Sequence, residues 1–141
     1  MSAILPNLWL GGLGLVHDLE FLTENKITHI VSVIDENILT RQMVALNIKQ
    51  LSVRINDCDD APIAAHFDRC VEFIERALEG GGAVLVHCFM GVSRSPSIVA
   101  AYLMRTQGLT AAAALKFLVA RRSIVDPNDG FRAALAAYER R

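Results

Sequence analysis

The sequence predicts one α/β domain, a central β-sheet flanked by helices, on three observations. Short β-branched apolar runs alternate with stretches of helical periodicity, the pattern of a layered α/β arrangement. One run near the middle, Ala83-Val84-Leu85-Val86-His87, is apolar at almost every position, as a strand covered on both faces must be. The chain has 141 residues, enough for one compact core, and it shows no repeat, linker or low-complexity segment.

The elements follow in order. Residues 8–11 read as a first strand and residues 17–24 as a short helix. Two further strands fall at 28–34 and 49–55, rich in Ile and Val. From 62 to 79, Phe67, Cys70, Val71, Ile74 and Leu78 recur at helical spacing, with Asp60 and Pro62 placed to start that helix. Glu79-Gly80-Gly81-Gly82 is a turn into the central strand, 83–87. Residues 96–104 are apolar nearly all round and predict a buried helix. Thr110 can cap an alanine-rich helix ending at Arg121-Arg122, where cations suit the dipole. Asn128-Asp129-Gly130 opens a last helix that carries Phe131, Leu135 and Tyr138.

Composition narrows the function. Fourteen basic residues against fifteen acidic ones give a net charge of −1, without the basic excess of a nucleic-acid binder. No apolar run reaches the length of a bilayer span, so no membrane insertion is expected. The start, Met1-Ser2-Ala3-Ile4, lacks the basic and apolar regions of a signal peptide, and Ser2 offers no myristoylation site. An intracellular location, cytoplasmic or nuclear, is the expectation. Three scattered cysteines, Cys58, Cys70 and Cys88, suit neither a disulfide framework nor a zinc site.

The chemistry concentrates where the central strand ends. His87-Cys88-Phe89-Met90-Gly91-Val92-Ser93-Arg94-Ser95 leaves that strand and enters the buried helix. A short loop there can turn successive backbone N–H groups inward as an anion nest, reinforced by the helix N-terminus. Gly91 permits the tight turn. Such a cradle favours a thiolate at Cys88 over a thiol. The planar guanidinium of Arg94 can grip two phosphate oxygens at once, which lysine cannot do. Nucleophile and phosphate clamp thus share one loop. Spacing alone would not establish this, because Cys70 and Arg76 stand at the same interval. That pair lies within a helical pattern, lacks a glycine and encloses Glu72 and Glu75, so Cys70 reads as core.

These residues resemble the protein tyrosine phosphatase superfamily, and within it the small atypical dual-specificity phosphatases. The similarity is carried by Val86 through Ser95, by Ala101-Tyr102-Leu103-Met104, and by Ile4-Leu5-Pro6-Asn7-Leu8-Trp9-Leu10-Gly11. Ile27-Thr28-His29-Ile30 and Pro127-Asn128-Asp129-Gly130-Phe131 extend it over almost the whole chain. The resemblance implies a mixed central sheet and a single catalytic domain over residues 1–141. It implies that Cys88 attacks phosphorus to form phosphocysteine, while Arg94 and the amides of Phe89, Met90, Gly91, Val92 and Ser93 bind the phosphoryl oxygens. Ser95 resembles the hydroxyl that eases departure of the thiolate. His87 resembles a buried histidine that orders the loop, and Asn128 the asparagine that braces it. No metal and no cofactor are implied.

The general acid is expected in Asn56-Asp57-Cys58-Asp59-Asp60, and Asp57 matches the family position best. Asp59 and Asp60 remain as a turn residue and a helix cap. Asp126-Pro127 competes, because an Asp-Pro pair carries the acid in low-molecular-weight tyrosine phosphatases; here it reads as a turn. The apolar loop positions Phe89, Met90 and Val92 argue against polyanionic substrates. A phosphorylated protein is therefore the expected partner, bearing phosphotyrosine and, in a shallow pocket, phosphothreonine or phosphoserine. The alternatives are a catalytically silent phosphoprotein-binding module and a phosphatase of non-protein phosphate esters. Cys58, beside the acid, could approach Cys88 and form a protective disulfide.

Overall fold

A computed structural model describes residues 1–141. Five strands form one sheet in the order β1-β2-β5-β3-β4. They are β1 (Ser2–Leu5), β2 (Leu8–Gly11), β3 (His29–Val33), β4 (Lys49–Val53) and β5 (Val84–His87). The sheet is mixed: β1 pairs antiparallel with β2, and all other pairings are parallel. Residues 2–5 carry no turn signal ahead of them, so the sequence reading missed β1. The hairpin that makes it possible turns on Asn7, whose φ of 66° is one that asparagine tolerates.

The near-continuous apolar character of β5 has the expected cause. Val84 and Val86 pack into the large core beneath the long helices, while Leu85 packs into a smaller cluster on the opposite face. Helices α3 (Phe67–Glu79), α4 (Arg94–Gln107), α5 (Ala111–Arg121) and α6 (Asp129–Glu139) cover the first face. Helices α1 (Leu19–Glu24) and α2 (Arg41–Ala45), with a 3-10 turn at Leu13–His17, cover the second. No single helix is long and apolar enough to cross a membrane.

Three details differ from the sequence reading. Asp60 and Pro62 do not cap α3: Pro62 leads into a 3-10 turn, Ile63–His66, which buries Ile63 before the helix begins. The helix predicted from residue 96 starts two positions earlier, at Arg94, so the anion loop runs straight into its first turn. Helix α2 was not foreseen. It is only five residues long, and Thr40 starts it by accepting from the Met43 N–H while donating to the carbonyl of Val16. Because β2, β5, β3 and β4 run parallel, the loops after Gly11, His87, Val33 and Val53 gather along one rim of the sheet, where open α/β sheets form their clefts.

Candidate active site

The loop from Cys88 to Ser93 is shaped by what holds its carbonyls. Each is engaged by a donor outside the nest. The carbonyl of Cys88 lies 3.1 Å from His87 Nδ1, and that of Phe89 accepts from the Leu13 N–H at 2.9 Å. Arg122 takes two, donating from Nη2 to Met90 and from Nε to Gly91, both at 2.9 Å. The Val92 carbonyl accepts from the Asp126 N–H at 2.7 Å, and that of Ser93 from Ser97 N–H and Oγ. In a trans peptide the following N–H points opposite to its carbonyl. Holding six consecutive carbonyls on one side therefore turns the N–H groups of residues 89–94 to the other. That side holds the sulfur: the Gly91 N–H donates to Cys88 Sγ at 3.2 Å.

Gly91 is indispensable to this shape. It sits at φ 69°, and a Cβ there would press on the backbone of Gly11 and the guanidinium of Arg122. The Ser95 hydroxyl, in the first turn of α4, lies 3.0 Å from Cys88 Sγ. Cys88 is 2% exposed, so its sulfur is reached only through the mouth of the nest. Arg94 spans the mouth and donates from Nη1 to the carbonyl of Ile55 at 3.1 Å. A cavity of about 290 Å³ opens above, lined by Asp57, Cys88, Phe89, Met90, Val92, Ser93 and Arg94.

Asp57 is held over this cavity by Asn128, whose Nδ2 donates to its Oδ1 at 2.9 Å. The same asparagine accepts from the Phe131 N–H to cap α6, and its backbone N–H donates to Ser93 Oγ at 3.0 Å. One residue thus ties the acid loop, the anion loop and a helix together. Gly130 lets the acid loop dock closely, since a Cβ there would collide with the carbonyl of Asp59. The remaining candidates are placed elsewhere: Asp59 does not line this cavity, and its Oδ1 lies 3.5 Å from the Gly130 N–H. Asp126 points away into an ion pair with Arg132 at 2.7 Å. Asp60 and Cys58 line a separate cavity with Asp35 and Arg54, so the exposed Cys58 does not face Cys88. Cys70 lies in the core, where burial pushes its thiol up to about 12 and leaves it unreactive.

His87 is fully buried, and burial lowers it to about 4, so it is neutral near pH 7. Its protonation pattern follows from its neighbours. Gln50 Nε2 lies 2.6 Å from the Ile38 carbonyl, which fixes that end of the amide as the donor, and it donates also to Ser32 Oγ. The Ser32 hydroxyl is then free to donate to His87 Nε2 at 2.7 Å, leaving the proton on Nδ1 to bond the Cys88 carbonyl. A relay therefore runs from the edge strand to the peptide of Cys88.

Three supporting parts escaped the sequence reading: Arg122, the Gln50–Ser32 relay, and the backbone donors of Leu13 and Asp126. Arg122 had a faint signal as the second of two arginines at a helix end. The structure divides their work: Arg121 lies over the Phe117 ring and bonds the Phe117 carbonyl, while Arg122 turns to the loop.

Comparison with known proteins completes the description. Residues 8–141 match the family model "Dual specificity phosphatase, catalytic domain". Mouse dual specificity protein phosphatase 15 is 40% identical over 138 residues, covering 98% of this chain and 57% of that protein. Dual specificity protein phosphatase 1 of Arabidopsis thaliana is 37% identical, covering 99% of this chain and 69% of its own length. The chain spans about half the length of the mammalian relatives numbered 15. Among solved structures, DUSP15 superposes with a TM-score of 0.92 at 38% identity, covering 99% of this chain and 86% of that one. The human tyrosine phosphatase-like serine/threonine/tyrosine-interacting protein gives 0.93 at 34%, covering 99% and 95%.

Proposed function

The chain belongs to the dual-specificity phosphatase family, and from that premise we propose that it hydrolyses phosphate monoesters on proteins through a phosphocysteine intermediate. One observation carries the reading: every carbonyl from Cys88 to Ser93 is held outward, so the N–H groups turn to the side of the sulfur, which accepts from Gly91. A ring of fixed donors around a nucleophile matches a phosphoryl group whose equatorial oxygens carry the transition-state charge.

The steps follow from the placements. Cys88 Sγ attacks phosphorus, the bond to the leaving oxygen breaks, and protonated Asp57 gives that oxygen its proton. Arg94 and the amides of residues 89–94 hold the three remaining oxygens. Water then attacks phosphorus, Asp57 takes its proton, and the P–S bond breaks to release inorganic phosphate. The Ser95 hydroxyl, 3.0 Å from the sulfur, stabilises the departing thiolate. His87 and Asn128 position the loop rather than touch substrate. Phe89 and Met90, 54% and 59% exposed, give the cleft an apolar lip suited to a tyrosyl ring or a neighbouring apolar side chain. The reading extends to phosphoserine and phosphothreonine. A cysteine nucleophile must stay reduced to act, which suits an intracellular site of action, cytoplasmic or nuclear.

The test is hydrolysis of para-nitrophenyl phosphate in EDTA by the parent and by Cys88→Ser. Turnover by the parent, abolished by the substitution, supports the cysteine mechanism. A folded, reduced parent without turnover, but with affinity for a phosphotyrosine peptide, would instead identify a phosphoprotein-binding module.

A further inference from the structure

A second concave surface lies along the free edge of the sheet. There β4 and α3 frame a groove of about 420 Å³, floored by half-buried Leu51 and Phe73. Lys49, Arg69 and Arg76 line it, all exposed. Its single carboxylate, Glu72, is drawn outward toward Arg105 at 4.0 Å. None of the three cations has a carboxylate within ion-pair range; the chain's ion pairs use Arg54, Arg105, Arg132 and Arg141 instead. Arg69 donates to the Ser52 carbonyl at 3.1 Å, which leaves its charge uncompensated. A protein of net charge −1 thus gathers three unpaired cations in one groove. His29, packed edge-on against Phe73 and beside Lys49, has its pKa lowered by burial and by that cation.

The backbone adds a template. Lys49 donates its N–H to Thr28, and Val53 accepts from Ile34, so the odd-numbered residues of β4 face β3. The N–H of Gln50 and of Ser52 therefore point to the open edge, where an extended chain finds partners. The same strand leads into Ile55, whose carbonyl holds Arg94, and then Asp57. From Leu51 on the groove floor to Ile55 the path is roughly 13 Å at strand rise, and from Lys49 roughly 20 Å.

We propose that this groove docks an acidic, extended segment of the substrate protein that lies several residues from its phosphorylated side chain. The identity of that partner as a substrate rests on the phosphatase reading above. The attraction between exposed charges weakens with salt, and it raises the local concentration of acidic partners over neutral ones.

Two measurements on the full chain test it. The first is fluorescence anisotropy of a labelled, unphosphorylated poly-glutamate peptide with the parent and with the double variant Lys49→Glu, Arg76→Glu. Binding by the parent that the variant weakens at least tenfold supports docking; equal binding by both overturns it. A preference of the parent for a DNA oligonucleotide or for phosphatidylserine vesicles over the peptide also overturns it. The second compares phosphotyrosine peptides with and without an acidic stretch. The variant's KM should rise about tenfold for the acidic peptide, with kcat/KM for para-nitrophenyl phosphate unchanged; equal KM values overturn the proposal. The anisotropy needs no turnover, so failure of docking and failure of the phosphatase reading are separable.

Discussion

Arg122→Ala removes the two donors that hold the carbonyls of Met90 and Gly91 at 2.9 Å. A hydrogen bond from a charged donor contributes about 1.5–3 kcal/mol, and the guanidinium is only partly buried, so screening favours the lower end. The pair is then worth about 3 kcal/mol of loop order. The neighbouring anchors, Leu13 on Phe89 and Asp126 on Val92, remain, so the loop persists but its two central peptides gain freedom to rotate. Each rotation replaces an inward N–H by a carbonyl oxygen facing the phosphoryl group. Complete loss of one such donor costs on the order of 10²–10³ in kcat, and partial rotation a fraction of that. The expected result is a kcat for para-nitrophenyl phosphate lower by about 30-fold, with inhibition by inorganic phosphate weakened in parallel. Arg122→Lys, keeping the charge but not the fork, should fall between. Thermal denaturation run alongside separates loop order from global stability. A variant that loses stability yet keeps kcat within threefold would show that the carbonyl anchors do not set the nest, and the reasoning would fail.

Three other expectations follow from the same geometry. Asp57→Asn should lower kcat by about 10²–10⁴, whereas Asp126→Asn, which only breaks an exposed pair with Arg132, should leave kcat within twofold; the reverse ranking would move the acid to Asp126. His87, lowered from 6.5 to about 4 by burial, stays neutral in the fold while the unfolded chain takes up its proton, so stability is full above pH 6.5 and falls as the pH drops toward 4. Between pH 8 and pH 5 that linkage is worth about 2 kcal/mol, readable by urea denaturation. His87→Asn should flatten the slope, leaving a smaller one of the same sign from His29 and His66, whose pKa values are also lowered; an unchanged slope would assign it elsewhere. Gln50→Leu leaves the Ile38 carbonyl without its donor, costing about 1–2 kcal/mol, and frees Ser32 from its fixed orientation. Iodoacetamide labelling of Cys88 at pH 6 should slow several-fold; an unchanged rate would mean the relay ends at Ser32.

The parts legible in the sequence were those with a periodic or chemical signature. The parallel core strands show as Ile- and Val-rich runs because both sheet faces are covered, and α3 shows because one side of it is core and the other solvent. Cys88, Arg94 and Gly91 were legible because nucleophile, fork and left-handed turn each demand a particular residue type in one short segment. Elements that owe their existence to tertiary packing were not. Strand β1 forms by pairing with β2, and α2 is held by Thr40 reaching across to Val16. A five-residue helix has too few turns for a period to emerge.

The hidden part of the site is hidden for a deeper reason. An anion nest needs N–H groups facing in, and the chain achieves that by engaging the carbonyls from outside. Leu13 and Asp126 do so through their main-chain N–H, which any residue but proline possesses, so no side chain records the duty. Arg122 comes from the end of α5, thirty-one positions beyond Gly91, and Gln50 acts through Ser32 and His87 across two strands. The residues proposed to touch phosphate are contiguous because a single loop must enclose one small ion. Those that shape the loop must approach it from several directions, and only folding brings such directions together. Variation at Arg122 and Gln50 should therefore alter catalysis without altering the signature, and a chain that keeps Cys88, Arg94 and Ser95 can still lose its donors from behind.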